Sequence, residues 1–291
     1  MILIIILYAL VAITFPLAQY AIRYADPFFV VGVRMIVAGA LLLGIHKFLH
    51  KKSMVIQEGD FLLFVKTALF HVFLAFVPEF WALQYLSPLK VNIMFSATPF
   101  ITALLEIFLW HKTFTLSQLV GMAIGTSGVL FLALSTTQPH CTLLTCMYPL
   151  LPEALLMVAI ISAAYAWFVI NQLRQRGYQL VFINGVAMLL GGIMSMLTIP
   201  FFGNTSALII SWPGFLITTI LLMIISNGLV YQLYGTLLMK YRPTLLSLAG
   251  FLCPLFGTAY AILLFGESLT VHYAISLALV FIGLCLFCRR N

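Results

Sequence analysis

The sequence predicts an all-α integral membrane protein with ten transmembrane helices in two inverted five-helix repeats. Three observations predict this. Of 291 residues, 64% are apolar and only 7% carry a charge, whereas a water-facing domain carries roughly 25%. Apolar runs of about 20 residues recur along the whole chain, each long enough to cross ~30 Å of hydrocarbon as a helix. The second half of the chain also repeats positions of the first at a fixed offset of 155 residues.

The runs are continuous and lack the alternation of a membrane barrel, so helices are the expected spanning solution. Reading them against their polar breaks places spans at 2–22, 28–46, 61–85, 90–110, 115–135, 153–173, 180–202, 213–239, 244–265 and 270–288. The breaks are Asp26-Pro27, the run from His46 to Asp60, Ser87-Pro88 and Arg242-Pro243. The first run contains Thr14 and Pro16, has no basic leader and is followed by further spans, so it is expected to be a retained helix and not a cleaved signal. Three units follow: a first repeat over 1–135, an external connecting loop over 136–152 and a second repeat over 153–291.

Charge orients the chain. With the N-terminus inside, Lys47, Lys51, Lys52, Lys66, Lys112, Arg174, Arg176, Lys240, Arg242, Arg289 and Arg290 fall on the cytoplasmic side. Only Arg23 and Lys90 fall outside, and Arg34 lies within a span. This positive-inside bias predicts two cytoplasmic termini. The net charge of +7 is thus a matter of loops; no basic face interleaved with aromatics points to nucleic acid. Of five cysteines, Cys253, Cys285 and Cys288 lie in apolar spans, and Cys141 and Cys146 share the expected external loop, as free thiols or as a disulfide. No metal-ligand spacing is present, and neither a metal nor a cofactor is expected.

The repeat is read residue by residue. Pro88 maps to Pro243, Pro99 to Pro254, Ile107 to Ile262, Leu109 to Leu264, Thr115 to Thr270 and Gly128 to Gly283. Five spans per copy is an odd number, so the copies must have opposite membrane orientation. Lys112, expected inside, maps to Glu267, expected outside, as that inversion requires. Inverted repeats with a midplane site between them are the architecture of many secondary transporters.

The stretch Trp81-Ala-Leu-Gln-Tyr-Leu-Ser-Pro, with Pro99 and the Gly121/Gly125/Gly128 helix, resembles one EamA-type repeat of the drug/metabolite transporter superfamily. The stretch from Tyr231 to Pro243, with Pro254, Phe265-Gly266-Glu267 and Gly283, resembles the second. Arg34 stands where such proteins often carry an arginine in the second helix. The copies differ: His111-Lys112 replaces Gly266-Glu267, and Ser276 and Val280 stand opposite Gly121 and Gly125. The resemblance implies ten helices around a central cavity and transport by alternating access, without naming a substrate.

Polar groups inside apolar spans mark the expected substrate site. His71 lies near the middle of span three, and its mate Ser226 is beside Asn227 in span eight. Each of these is read either as a ligand contact or as a satisfied packing residue. Glu79 follows Pro78 in the outer third of span three. It is open to two readings: an ion pair with Arg34, or contact with a substrate ammonium or a transported proton. Glu106 is either a site carboxylate or a snorkelling one. The aromatics Phe15, Trp81, Tyr165, Trp167, Tyr231 and Tyr234 flank these positions. With buried carboxylates they suit a flat, cationic or zwitterionic ligand.

Amino acids, aromatic or cationic drugs, and adenosyl amino acids such as S-adenosylmethionine meet that description. A secondary transporter of a small polar metabolite in a bacterial plasma (inner) membrane is therefore expected. Its partners would be the bilayer, a substrate and a proton or counter-solute, in a monomer or a homodimer. An enzyme is not expected: the chain has no His-Glu-x-x-His or Gly-x-Ser-x-Gly motif and no Asp within a span. There is also no P-loop for ATP-driven pumping.

Overall fold

The computed structural model describes residues 2–50, 55–111, 113–134, 143–203, 208–240, 249–250, 252–266 and 270–288. These are helical, with no β-strand among the described residues beyond an isolated Ala25–Ile209 bridge. Seven helical stretches are long and apolar enough to cross a membrane. They are α1 (Ile2–Tyr24), α2 (Pro27–His50), α3 (Phe61–Ala82), α4 (Pro88–Leu109), α6 (Leu143–Gln175), α7 (Leu180–Phe202) and α8 (Trp212–Leu237). The shorter apolar helices are α5 (Leu116–Leu134), α9 (Leu252–Phe265) and α10 (Val271–Cys288). Their outward faces carry exposed apolar side chains such as Leu41, Phe108, Phe201 and Leu263. That surface suits hydrocarbon and not water.

Local chemistry sets the helix ends. The Asp26 carboxylate accepts the Phe28 and Phe29 N–H groups at 2.9 and 3.2 Å, and Pro27 opens α2 with the φ it already holds. Ser87 caps α4 in the same way, ahead of Pro88. At the other end of α4, His111 takes a left-handed conformation (φ 51°), and its N–H reaches the Glu106 carbonyl. Gly266 has φ 65° after α9, at the position 155 residues on. Two helices thus end on a left-handed residue at positions 155 apart, once with glycine and once with a side chain that strains it.

Two differences from the expected spans have physical causes. Span four is not one helix: Ser96 and Ala97 form a turn inside α4. Pro99 has no N–H for the Phe95 carbonyl, and the Thr98 hydroxyl donates to that oxygen instead, at 2.6 Å. Span six begins earlier than 153, since α6 is helical from Leu143. Cys141 lies outside the described residues, as does the Cys146 side chain. Cys253 and Cys285 are free thiols.

Glycines let helices of the two halves meet backbone to backbone. A Cβ on Gly283 of α10 would stand 2.4 Å from the Gly125 nitrogen and 2.6 Å from the Gly121 carbonyl of α5. Further along, Ser276 donates to the Gly128 carbonyl at 2.8 Å, while Ser117 donates to the Leu286 carbonyl. As numbers rise on α5 they fall on α10, so the pair is antiparallel. The α2–α7 pair behaves alike: Gly39 meets Gly185 and Leu189, and Gly32 meets Met196. Both pairs join helices that occupy the same place in the two halves.

Candidate functional site

The site is built on two interruptions of helical geometry. Ala68–Phe73 in α3 and Met223–Val230 in α8 are π-helical. The Leu74 N–H reaches the Leu69 carbonyl and the Tyr231 N–H reaches the Ser226 carbonyl, each five residues back. Ala68 and Met223 are 155 residues apart, the offset of the sequence matches, although they lie beyond the stretch in which sequence shows that register. A π turn widens the helix and redirects the side chains after it, and such turns gather at functional sites. At α3, Gly191 of α7 allows the approach: a Cβ there would lie 2.5 Å from Val72.

Between these helices lies a cavity of about 610 Å³. His71 and Ser226 line it from the two π segments. The His71 ring stands edge-on to Trp167 at 5.3 Å and to Tyr231 at 5.0 Å, and Trp167 leans on Tyr234 at 4.6 Å. Phe15 and Phe95 form the facing wall, 5.1 Å apart. Glu79, which is buried, lines the same space, as do Glu106, Asn171 and Arg174.

Of the residues singled out in the sequence, Phe15, His71, Glu79, Glu106, Trp167, Tyr231 and Tyr234 therefore meet in one cavity. Four do not line it. Asn227 turns away: its amide nitrogen lies 3.1 Å from the Met35 sulfur and 3.5 Å from that of Met188. The turn that aims Ser226 at the cavity sends the next side chain into the α2–α7 interface. Trp81 stacks on Tyr85 at 4.7 Å, and Tyr165 meets Phe70 edge-on at 4.8 Å.

Arg34 is fully buried with its guanidinium over Phe76 and Phe80, 4.7 and 4.8 Å from the ring centres. It makes no salt bridge with Glu79 within 4.0 Å, although the two are close enough for their charges to interact. The buried ion pair among the described residues is instead Lys90 with Glu153, which joins α4 to α6. Lys90, expected on the outer side, is buried in this pair in the first turn of α4.

Sequence reading missed Asn92 and Ser96, which also line the cavity. Both are polar residues within an apolar span, the same signal that marks His71, but neither carries a charge.

A family model of EamA-like transporters matches residues 1–134 and 150–289. The chain belongs to the EamA-like transporter family. It is thus a multi-pass membrane protein of a transport family, and the two matched stretches divide the chain where the sequence repeat does. An S-adenosylmethionine/S-adenosylhomocysteine transporter of Chlamydia muridarum (strain MoPn / Nigg) is 28% identical over 258 residues, 88% of this chain and 80% of that protein. The protein of the same name from Chlamydia trachomatis serovar L2 is 27% identical over 260 residues, 88% of this chain and 78% of its own. An uncharacterized transporter of Acidianus ambivalens is 23% identical over 235 residues, 79% and 82% of the two chains. A solved crystal structure superposes with a TM-score of 0.65 at 16% identity, covering 98% of this chain and 93% of its own. That likeness shows the fold.

Proposed function

We propose that this EamA-like protein is a secondary transporter of an adenosyl amino acid, S-adenosylmethionine or S-adenosylhomocysteine. One observation carries the reading: a cavity between two π segments 155 residues apart is lined both by a buried carboxylate, Glu79, and by Phe15, Phe95, Trp167, Tyr231 and Tyr234. A purine is flat and stacks on such rings, while a carboxylate favours the ammonium or sulfonium of the amino-acid end. A carboxylate without a hydrogen-bonded partner is costly to bury, and a cationic substrate group would supply that partner beside the Arg34 charge. The names of the two chlamydial relatives point the same way.

In this proposal ten helices cross a bacterial inner membrane as two inverted five-helix repeats, with both termini cytoplasmic. The antiparallel α2–α7 and α5–α10 pairs support the inversion, since equivalent helices of opposite orientation must run antiparallel. The cavity extends to Thr113, Gln118 and Arg174, at the ends expected to face the cytoplasm. The Lys90–Glu153 pair and the Trp81–Tyr85 contact, at the ends expected to face outward, are not part of its lining. The conformation is therefore read as inward-facing, and exchange or a proton gradient drives the reverse step.

The test is uptake into proteoliposomes. Labelled S-adenosylmethionine should accumulate when S-adenosylhomocysteine is preloaded inside, and leucine should not compete. Equal inhibition by leucine would reject the adenosyl reading.

A further inference from the structure

The carboxylate and the rings account for a cation and a flat surface, but not for the neutral polar groups that α4 adds to the cavity lining. Asn92 and Ser96 of α4 are 1% and 6% exposed and line the cavity one helical turn apart, hence on one face. The Asn92 amide nitrogen donates to the Cys253 carbonyl of α9 at 3.3 Å. A carbonyl only accepts, so the NH₂ end of the amide must face it and Oδ1 must point elsewhere. Oδ1 of Asn92 and Oγ of Ser96 have no protein hydrogen-bond partner. A buried acceptor left unmatched is costly, so both call for a polar group from the cavity.

The space that holds this amide is reserved from α9. A Cβ on Gly257 would fall 1.4 Å from Asn92 Nδ2 and 2.4 Å from its Cγ, and nothing but Asn92 lies among its nearest neighbours. The position is thus shaped for one amide in one orientation.

We infer that Asn92 and Ser96 form a specificity subsite for a neutral donor–acceptor edge of the substrate, the kind a nucleoside offers. Oδ1 accepts an N–H or O–H, and the serine hydroxyl donates to the adjoining nitrogen or oxygen. Two parts of a nucleoside carry that chemistry: the amidine edge of adenine and the ribose hydroxyls. The inference rests on the adenosyl reading above and assigns the part of the site that tells an adenosyl amino acid from the amino acid alone.

The experiment measures inhibition of labelled S-adenosylhomocysteine uptake in proteoliposomes. The inhibitors are the unlabelled compound, its 6-oxo (inosyl) analogue and its 2′-deoxy analogue. In the wild type, one analogue should inhibit about tenfold more weakly, the value of one lost hydrogen bond in a dry site; which one it is names the edge. Asn92→Ala should lower the affinity of the parent to that analogue's level and leave the analogue unchanged. Gly257→Ala, which displaces the amide, should do the same, and the double variant should show no further loss. The double variant also fills the vacated space, so a poorly folded Asn92→Ala does not stop the test. Variants that keep the wild-type preference among the three compounds, or lose all three alike, overturn the subsite. Absence of S-adenosylhomocysteine uptake in the wild type rejects the adenosyl reading itself, and the subsite with it.

Discussion

Glu79 shows most clearly what a single residue decides. Sequence left it between a structural ion pair with Arg34 and a substrate contact. The structure gives Arg34 two aromatic faces instead of a carboxylate, with Glu79 lining the cavity. Glu79→Gln should therefore leave the melting temperature near that of the wild type while weakening a cationic substrate about 30-fold, the loss expected for a charged hydrogen bond of ~2 kcal/mol. Arg34→Ala should instead destabilise by about 2 kcal/mol or more, since it empties a fully buried site and removes two cation–π contacts. Thermal unfolding read alongside uptake separates the two variants. His71 and Glu79 were legible from sequence because a polar side chain in an apolar run stands out. The outward turn of Asn227 was not, because nothing in the residue order marks a π turn.

At the scale of elements, the two halves share devices that sequence shows only in part. The proline and glycine matches at an offset of 155 run over α4, α5, α9 and α10. The π segments of α3 and α8 are as closely matched, but Ala68–Phe73 and Met223–Val230 have little sequence in common. Their equivalence lies in backbone hydrogen bonding. Deleting Leu69 should remove the extra residue and return Ala68–Phe73 to α-helical geometry, with the outer half of α3 kept in register. The widened turn that carries His71 at the cavity would be lost while Glu79 keeps its place, so uptake should fall while the protein still inserts and elutes as a folded species.

The shared left-handed cap is a second device. His111→Gly should raise stability by about 1 kcal/mol, relieving the strain that Gly266 avoids, as read by a thermal shift. Glycine also sets the α5–α10 seam, where Gly283→Leu should cost about 3 kcal/mol through overpacking against the α5 backbone.

For the whole molecule, composition alone excluded a soluble fold, and hydropathy with charge placed most of the helices. It did not place the turn within α4 or the early start of α6, because both depend on where one carbonyl finds its donor and not on how apolar the run is. The cavity was legible only as a depth argument. Which walls close it follows from the packing of α1, α3, α4, α6 and α8, and no local pattern encodes that.

The central claim is that this cavity carries an adenosyl amino acid across the membrane with Glu79 as its charged contact. Counterflow of labelled S-adenosylmethionine into proteoliposomes preloaded with S-adenosylhomocysteine, compared between wild type and Glu79→Gln, tests it most directly. The account predicts rapid accumulation by the wild type and little by a folded Glu79→Gln at the same substrate concentration. Equal counterflow by the two proteins, or none by the wild type, would contradict it.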